Sequence, residues 1–173
     1  MNDCIRPVRE DDADQIADLR RMPGVFETIL GLPSERSGRI REQIASLGRN
    51  DHLLVAVDAQ GRVLGEIGLM VYDNPRQRHC AGLGMMVRSD YQGQGVGRAL
   101  LESALDLADR WLMLERVELD VFEDHPAAMH LYQSAGFEIE GRKRRAAVKD
   151  GVYADEIMMA RLRPQRREQE IEL

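Results

Sequence analysis

Gln92-Gly93-Gln94-Gly95-Val96-Gly97-Arg98 runs directly into the apolar-periodic stretch Ala99 to Trp111. Three glycines just ahead of a helix leave a loop without Cβ atoms, so backbone N–H groups can close around an anion at the positive end of the helix dipole. The segment reads as a diphosphate cradle. Its register disfavours two common versions of that device. A dinucleotide-binding loop needs glycines at its first, third and sixth positions, and a frame starting at Gly93 puts Arg98 at the sixth. A mononucleotide P-loop needs Lys and then Ser or Thr after its last glycine, whereas Gly97 is followed by Arg98 and Ala99. What remains is Gln-x-x-Gly-x-Gly behind a strand.

Working outward, His79 to Val87 supplies that strand, and Leu53 to Val57 with Val63 to Tyr72 form a hairpin ahead of it, turned at Asp58-Ala59-Gln60-Gly61. Ile5 to Val8 reads as a first strand, followed by a helix capped by Asp11 or Asp12 that carries Ala13, Ile16 and Ala17 on helical spacing. Met22 to Pro33 holds Pro23, Gly24, Gly31 and Pro33 and reads as a connecting segment, after which Ser34 caps a second helix with the stripe Ile40, Ile44, Leu47. Behind the glycine loop, Leu100, Ala104, Leu107, Ala108 and Trp111 share one helix face. Val117, Leu119 and Val121 alternate with polar residues as a strand, which completes a strand-helix-strand crossover with the cradle at its first turn. A short helix opens at His125-Pro126 and stops at Gly136; Glu138 to Val148 and Val152 to Leu162 then pair across Lys149-Asp150-Gly151.

At 173 residues, with 43% hydrophobic and 31% charged residues, the chain has the size and composition of one globular domain, expected over residues 1–162, with 163–173 a charged, frayed tail. A net charge of −6 argues against a nucleic-acid partner. No apolar run is long enough to span a bilayer and the first ten residues are polar, so the expectation is a cytoplasmic protein without a membrane partner. Cys4 and Cys80 lack the spacing of a metal or redox motif, and neither a disulfide nor a metal is expected. Tyr132 shares a helix face with the small residues Ala128 and Ala135, a spacing that suits either a core aromatic or a hydroxyl offered to a ligand.

The strand ending Met85-Met86-Val87, the loop Gln92 to Arg98 and its helix resemble the first cofactor motif of the GNAT superfamily of acyl-CoA N-acyltransferases. Glu123 to Phe137, with Ala128, Tyr132, Gly136 and Phe137, resembles the second. The likeness runs from Ile5 to about Leu162. Within it, Trp111 to Gly141 and Asp150 to Arg161 are similar to the bacterial branch that acetylates the α-amino group of free amino acids such as phenylalanine and methionine. The resemblance implies an α/β fold with a mixed central sheet of about seven strands, a splayed parallel pair, and about four helices. It implies acetyl-CoA as cosubstrate and no metal. Pantetheine would lie between the splayed strands against backbone near Met86 and Val87, and the diphosphate would sit on the amides of Gln94, Gly95, Val96, Gly97 and Arg98, with Gln92 and Gly93 shaping the loop's start.

The implied reaction is direct attack of a primary amine on the thioester, with an N–H near Met86 stabilising the oxyanion and Tyr132 protonating the departing thiolate. No carboxylate lies on the strand where many members carry one; Glu66 and His79 are the candidate bases, and the base is left unassigned. His125 and Ala128 fall in the cofactor-binding segment, with His125 standing where the family commonly has Asn. Pro23 to Leu32, including Phe26, Leu30 and Leu32, and the hairpin around Asp150 would select the acceptor, and an Arg from Arg142 to Arg145 could meet a carboxylate. The leading acceptor is a free amino acid. Protein N-termini, polyamines and a non-catalytic acyl-CoA-binding module are the alternatives, and a homodimer is common among members.

Overall fold

The computed structural model describes residues 4–163. β1 (Cys4–Pro7) begins one residue earlier than the alternation suggests, and neither Asp11 nor Asp12 caps the first helix. Asp12 is turned inward instead, in a single 3-10 turn ahead of α1 (Ala13–Arg21). Its carboxylate accepts both arms of the Arg6 guanidinium at 2.8 Å and the Arg9 backbone N–H at 2.7 Å. Burial alone would raise the Asp12 pKa, but Arg6 and the Arg9 N–H outweigh it and hold the group below its ordinary value. With the folded pKa depressed, the stabilisation is present above the unfolded value of about 3.9 and is lost as pH falls through the folded one. Asp12→Asn is expected to cost roughly 2 to 3 kcal/mol at pH 7, because it strips the charge from the partner of a part-buried guanidinium. It should also flatten the acid side of the stability profile; urea midpoints at pH 7 equal to the parent's would refute this.

α2 (Ser37–Ala45) starts three residues beyond Ser34. Glu35 is held by Arg20 at 2.9 Å, which keeps the chain in a turn there, and Leu47 falls outside the helix. β2 (Asp51–Val57), β3 (Val63–Val71) and β4 (Cys80–Val87) make the expected antiparallel meander. After the glycine loop comes α3 (Val96–Asp106), which passes into a π-helical turn over Leu107–Trp111 closed by Leu112 N–H to Leu107 O at 3.0 Å. The wider turn rotates the following side chains off the α-helical stripe. Trp111, expected on the buried face, is therefore 73% exposed, while Ala108 stays buried.

β5 (Arg116–Phe122), α4 (Pro126–Ser134), β6 (Glu138–Lys149) and β7 (Val152–Leu162) complete a seven-stranded sheet in the order β1-β2-β3-β4-β5-β7-β6. One core lies between the sheet and α3 with α4, and includes Ile67, Leu100, Leu101, Tyr132 and Phe137. The other joins Ile16 and Leu19 of α1 and Ile40 and Ile44 of α2 to Val55 and Met86 of the sheet. Each fully buried side chain such as Leu100 contributes about 2 kcal/mol. Gly65 allows α3 to sit close to β3 and β4: a Cβ there would lie 2.8 Å from Met86 O and 3.0 Å from Leu100 Cδ1.

Arg163, placed in the frayed tail by the sequence, donates its N–H to Glu115 O at 3.0 Å. The rest of that tail, 164–173, lies outside the described residues. Among the described residues, no helix is long and apolar enough to cross a membrane. Cys4 and Cys80 are free thiols.

Candidate active site

β4 and β5 are the parallel pair, and they remain in register only through Cys80↔Arg116, Ala81↔Val117 and Gly82↔Glu118. Past Gly82 the ladder opens, although β4 stays paired with β3 as far as Val87 and β5 with β7 as far as Phe122. The gap between them is therefore lined by backbone that lacks its usual partner.

Which groups face the gap follows from ladder alternation. Tyr72 N–H to Cys80 O at 3.1 Å and Arg88 N–H to Leu64 O at 2.9 Å bracket the β3/β4 pair in one continuous register. Even-numbered residues of β4 thus point their N–H and C=O at β3, and Leu83, Met85 and Val87 point theirs toward β5. Met86, the sequence candidate for a free N–H, spends its backbone on Glu66, and its side chain packs in the α1/α2 core. Val87 is the residue of that pair whose amide faces the gap. The glycine motif alone does not give this parity, which depends on the register of β3 against β4.

The glycine loop begins where β4 ends. The Gln92 amide donates to Val87 O at 3.1 Å and to Gly24 O at 3.3 Å, tying the loop to the strand and to the α1/α2 connection. The tie to Gly24 had no sequence signal. Gln94 donates to Asp90 O at 2.8 Å. Gly93 at φ +71° and Gly95 at φ +92° adopt the left-handed conformation that side chains disfavour, and no atom lies within 4 Å of a Cβ at either. Gly95 is the N-cap of α3, so the amides of Val96, Gly97 and Arg98 open onto free space at the positive end of the dipole. Gly97 packs by Val87 of β4 and Leu131 of α4, with the nearest atoms 3.4 to 3.6 Å from a Cβ there. From Arg98 a groove of about 310 Å³ runs between α3 and α4, with Leu101, Leu105 and Leu131 on its walls and the carboxylates of Glu102, Asp106 and Asp109 along it. Cradle and gap adjoin one another at Val87 and fit a coenzyme whose diphosphate and amide-bearing arm need donors in that order.

Tyr132 is 6% exposed and shares its core with Leu83 of β4 and Leu119 and Val121 of β5, on the two sides of the gap. Its ring lies 5.7 Å from that of Phe137, and its hydroxyl bonds to no other described residue. Burial pushes its pKa up to about 12, so it is a protonated donor at neutral pH. Ala128 and Ala135 pack beside it as the spacing requires. His125 is the half-buried N-cap of α4, and burial, then Lys149, lowers its pKa, which favours the neutral ring.

The two candidate bases separate. His79 precedes β4, and its carbonyl accepts from Glu115 and Arg116 at the closed end of the β4/β5 pair. Seven residues of strand, about 23 Å, divide it from Met86, which puts His79 out of reach of the open part of the gap. Glu66 stands beside Met86 and is half-buried, with its pKa raised to about 7 by burial against a smaller opposing effect of Arg20.

Leu30 and Leu32 are 70% and 64% exposed, and Phe26 is half-buried in a short 3-10 turn. The basic run at 142–145 is largely committed. Arg142 pairs with Glu123 at 2.6 Å and Asp155 at 2.9 Å, Lys143 with Asp120 at 2.6 Å, and Arg145 stacks over Tyr153. Among the described residues, no group of three or more His, Cys, Asp or Glu could hold a metal ion.

A splayed parallel pair with an amide cradle at the adjoining helix defines an acyl-CoA-dependent transferase. Residues 18–137 match the model of the acetyltransferase (GNAT) family, and the chain belongs to that family: it is an acetyl-CoA-dependent N-acetyltransferase. It is 32% identical to the L-amino acid N-acetyltransferase AaaT of Escherichia coli, over 92% of this chain and 97% of that protein. It is 31% identical to a spermidine N(1)-acetyltransferase of Vibrio cholerae, over 58% of this chain and 57% of that one. A crystal structure of the Vibrio cholerae spermidine N-acetyltransferase in complex with CoA and spermine superposes with a TM-score of 0.82 at 25% identity, covering 93% of this chain and 95% of that one.

Proposed function

We propose that the enzyme transfers the acetyl group of acetyl-CoA to the α-amino group of a free amino acid. The observation that carries this is the likeness to the L-amino acid N-acetyltransferase AaaT along nearly the full length of both chains. In this assignment the amides of Gln94 to Arg98 hold the diphosphate, Gln92 and Gly93 set the loop, and the gap-facing backbone of Met85 and Val87 binds the pantetheine arm like a partner strand. His125 and Ala128 flank that arm from the start of α4. The Val87 N–H, rather than that of Met86, donates to the oxyanion as the amine attacks, a contribution often worth about 3 kcal/mol. As the C–S bond breaks, Tyr132 gives its proton to the departing thiolate and is reprotonated from solvent.

A second acceptor, a polyamine, is favoured by one carboxylate on the sheet face away from α3. There Glu118 and Asp120 are paired with Arg116 and Lys143 at 2.6 Å, whereas Glu156 on the neighbouring strand is 9% exposed without an ion-pair partner among the described residues. Thiol release from acetyl-CoA across free amino acids, peptides, polyamines and aminoglycosides decides between them. The highest kcat/KM is expected with an amino acid carrying an apolar side chain. A polyamine preferred over all amino acids, or exclusive use of peptide N-termini, would overturn the amino-acid assignment.

A further inference from the structure

The sheet register places two rows of side chains on the face opposite α3. Val55, Glu66 and Met86 align across β2, β3 and β4; Phe122, Glu156 and Lys143 align across β5, β7 and β6. Continuing the parallel register four residues beyond Gly82↔Glu118 sets Met86 opposite Phe122, so both rows end at the open part of the gap. Glu66 lies one strand behind that opening. Val55 and Met86 belong to the α1/α2 core, which fixes the Glu66 side chain on that side of the sheet.

Beside Met86, no side chain of β4 stands on the diagonal from Glu66 toward the gap. Its diagonal neighbour on β4 is Gly84, where no atom lies within 4 Å of a Cβ, and diagonal cross-strand positions are about 7 to 8 Å apart. A glutamate reaches across that distance directly or through one water. Among the residues of β3 and β4, Glu66 is the sole carboxylate, and it forms no hydrogen bond or ion pair with another described residue. Arg20 of α1 is the charged group acting on it, and that guanidinium is already engaged by Glu35; the row neighbours Val55 and Met86 carry no charge. Tyr132 lies in the core on the other face of the sheet. Acid and carboxylate thus flank the gap from opposite sides.

We infer that Glu66 receives the proton of the acceptor amine, which enters from the α1/α2 face, while the thiol departs toward α4. This rests on the acyl-transfer assignment above and supplies the base that the strand facing the cofactor lacks. As the C–N bond forms, one N–H proton passes to the Glu66 carboxylate, and solvent later removes it. The thioester C–S bond breaks to give thiolate, which takes its proton from Tyr132. The carboxyl, raised to about 7, is half ionised at that pH and able to accept a proton increasingly above it.

The test compares kcat against pH for the full-length parent and Glu66→Gln at saturating acceptor, with Glu66→Asp as the conservative variant. The parent should show an acidic limb centred near pH 7. Glu66→Gln should lose that limb and fall about 100-fold at pH 7.5, Glu66→Asp should retain the limb, and thermal stabilisation by CoA should be equal in all three. A Glu66→Gln profile that overlays the parent's overturns the assignment of Glu66 alone. Absence of thiol release by the parent with every amine overturns the acyl-transfer assignment, and this inference falls with it.

Discussion

Gly95→Glu is expected to abolish CoA binding while leaving the protein folded. Gly95 sits at φ +92° as the N-cap of α3, a backbone conformation that costs an L-residue roughly 1 to 2 kcal/mol. Space is not the obstacle to folding, because no atom lies within 4 Å of a Cβ at this position. The obstacle is to the ligand. The new carboxylate would extend from the N-cap toward the amides of Val96, Gly97 and Arg98, the same donors that the diphosphate requires, and would meet it with like charge. Losing two charge-assisted hydrogen bonds, each worth about 1.5 to 3 kcal/mol, corresponds to at least a 100-fold weaker affinity.

Gly95→Ala separates strain from charge. It carries the same backbone penalty without the carboxylate, so it should lose about 1 kcal/mol of stability yet keep measurable affinity. Titration calorimetry with CoA checks both, with far-ultraviolet circular dichroism as the control for folding. Parent-like affinity in Gly95→Glu would remove the glycine loop from the cofactor site and leave the gap without its anchor.

How much of this was legible beforehand differs between the elements. The strand order, the crossover and the cradle rest on local signals: alternation in Val117 to Val121, glycines where a left-handed φ is required, and Pro126 at a helix start. Where side chains compete for the backbone, local signals fail. Asp12 resembles a helix cap but is claimed by Arg6 across the turn, and Ser34 yields to a segment pinned by Arg20 and Glu35. The π turn after Asp106 breaks a period that the residues themselves obey, which is why Trp111 faces solvent. In the site, residue types were readable and parities were not. Whether Met86 or Val87 presents its amide to the gap depends on the register of β3 against β4, a long-range property, and the same register sets Glu66 beside Met86, one strand behind the gap, while His79 stays at its closed end.

Tyr132→Phe is expected to lower kcat by about 100-fold, the lower end of the range for general acid catalysis, with cofactor affinity and stability nearly unchanged. The selectivity of the effect follows from the surroundings. The ring keeps its packing against Phe137 and the α3/α4 core, and the lost oxygen bonds to no other described residue, so neither the fold nor the cradle depends on it. The size of the effect follows from the leaving group. A thiol of pKa about 8.5 departs as thiolate with only modest assistance, which places the loss toward the lower end. Because burial raises the hydroxyl to about 12, the parent should keep its donor protonated throughout the alkaline range, and no basic limb near pH 10 should appear in kcat. The sharper test varies the thiol. Acetyl thioesters of aromatic thiols, whose anions are far more stable, need no proton as they leave, so the gap between parent and Tyr132→Phe should shrink with falling thiol pKa. Equal turnover of the two proteins with acetyl-CoA would take Tyr132 out of the chemistry, and a gap independent of the leaving group would assign it to positioning the thioester instead.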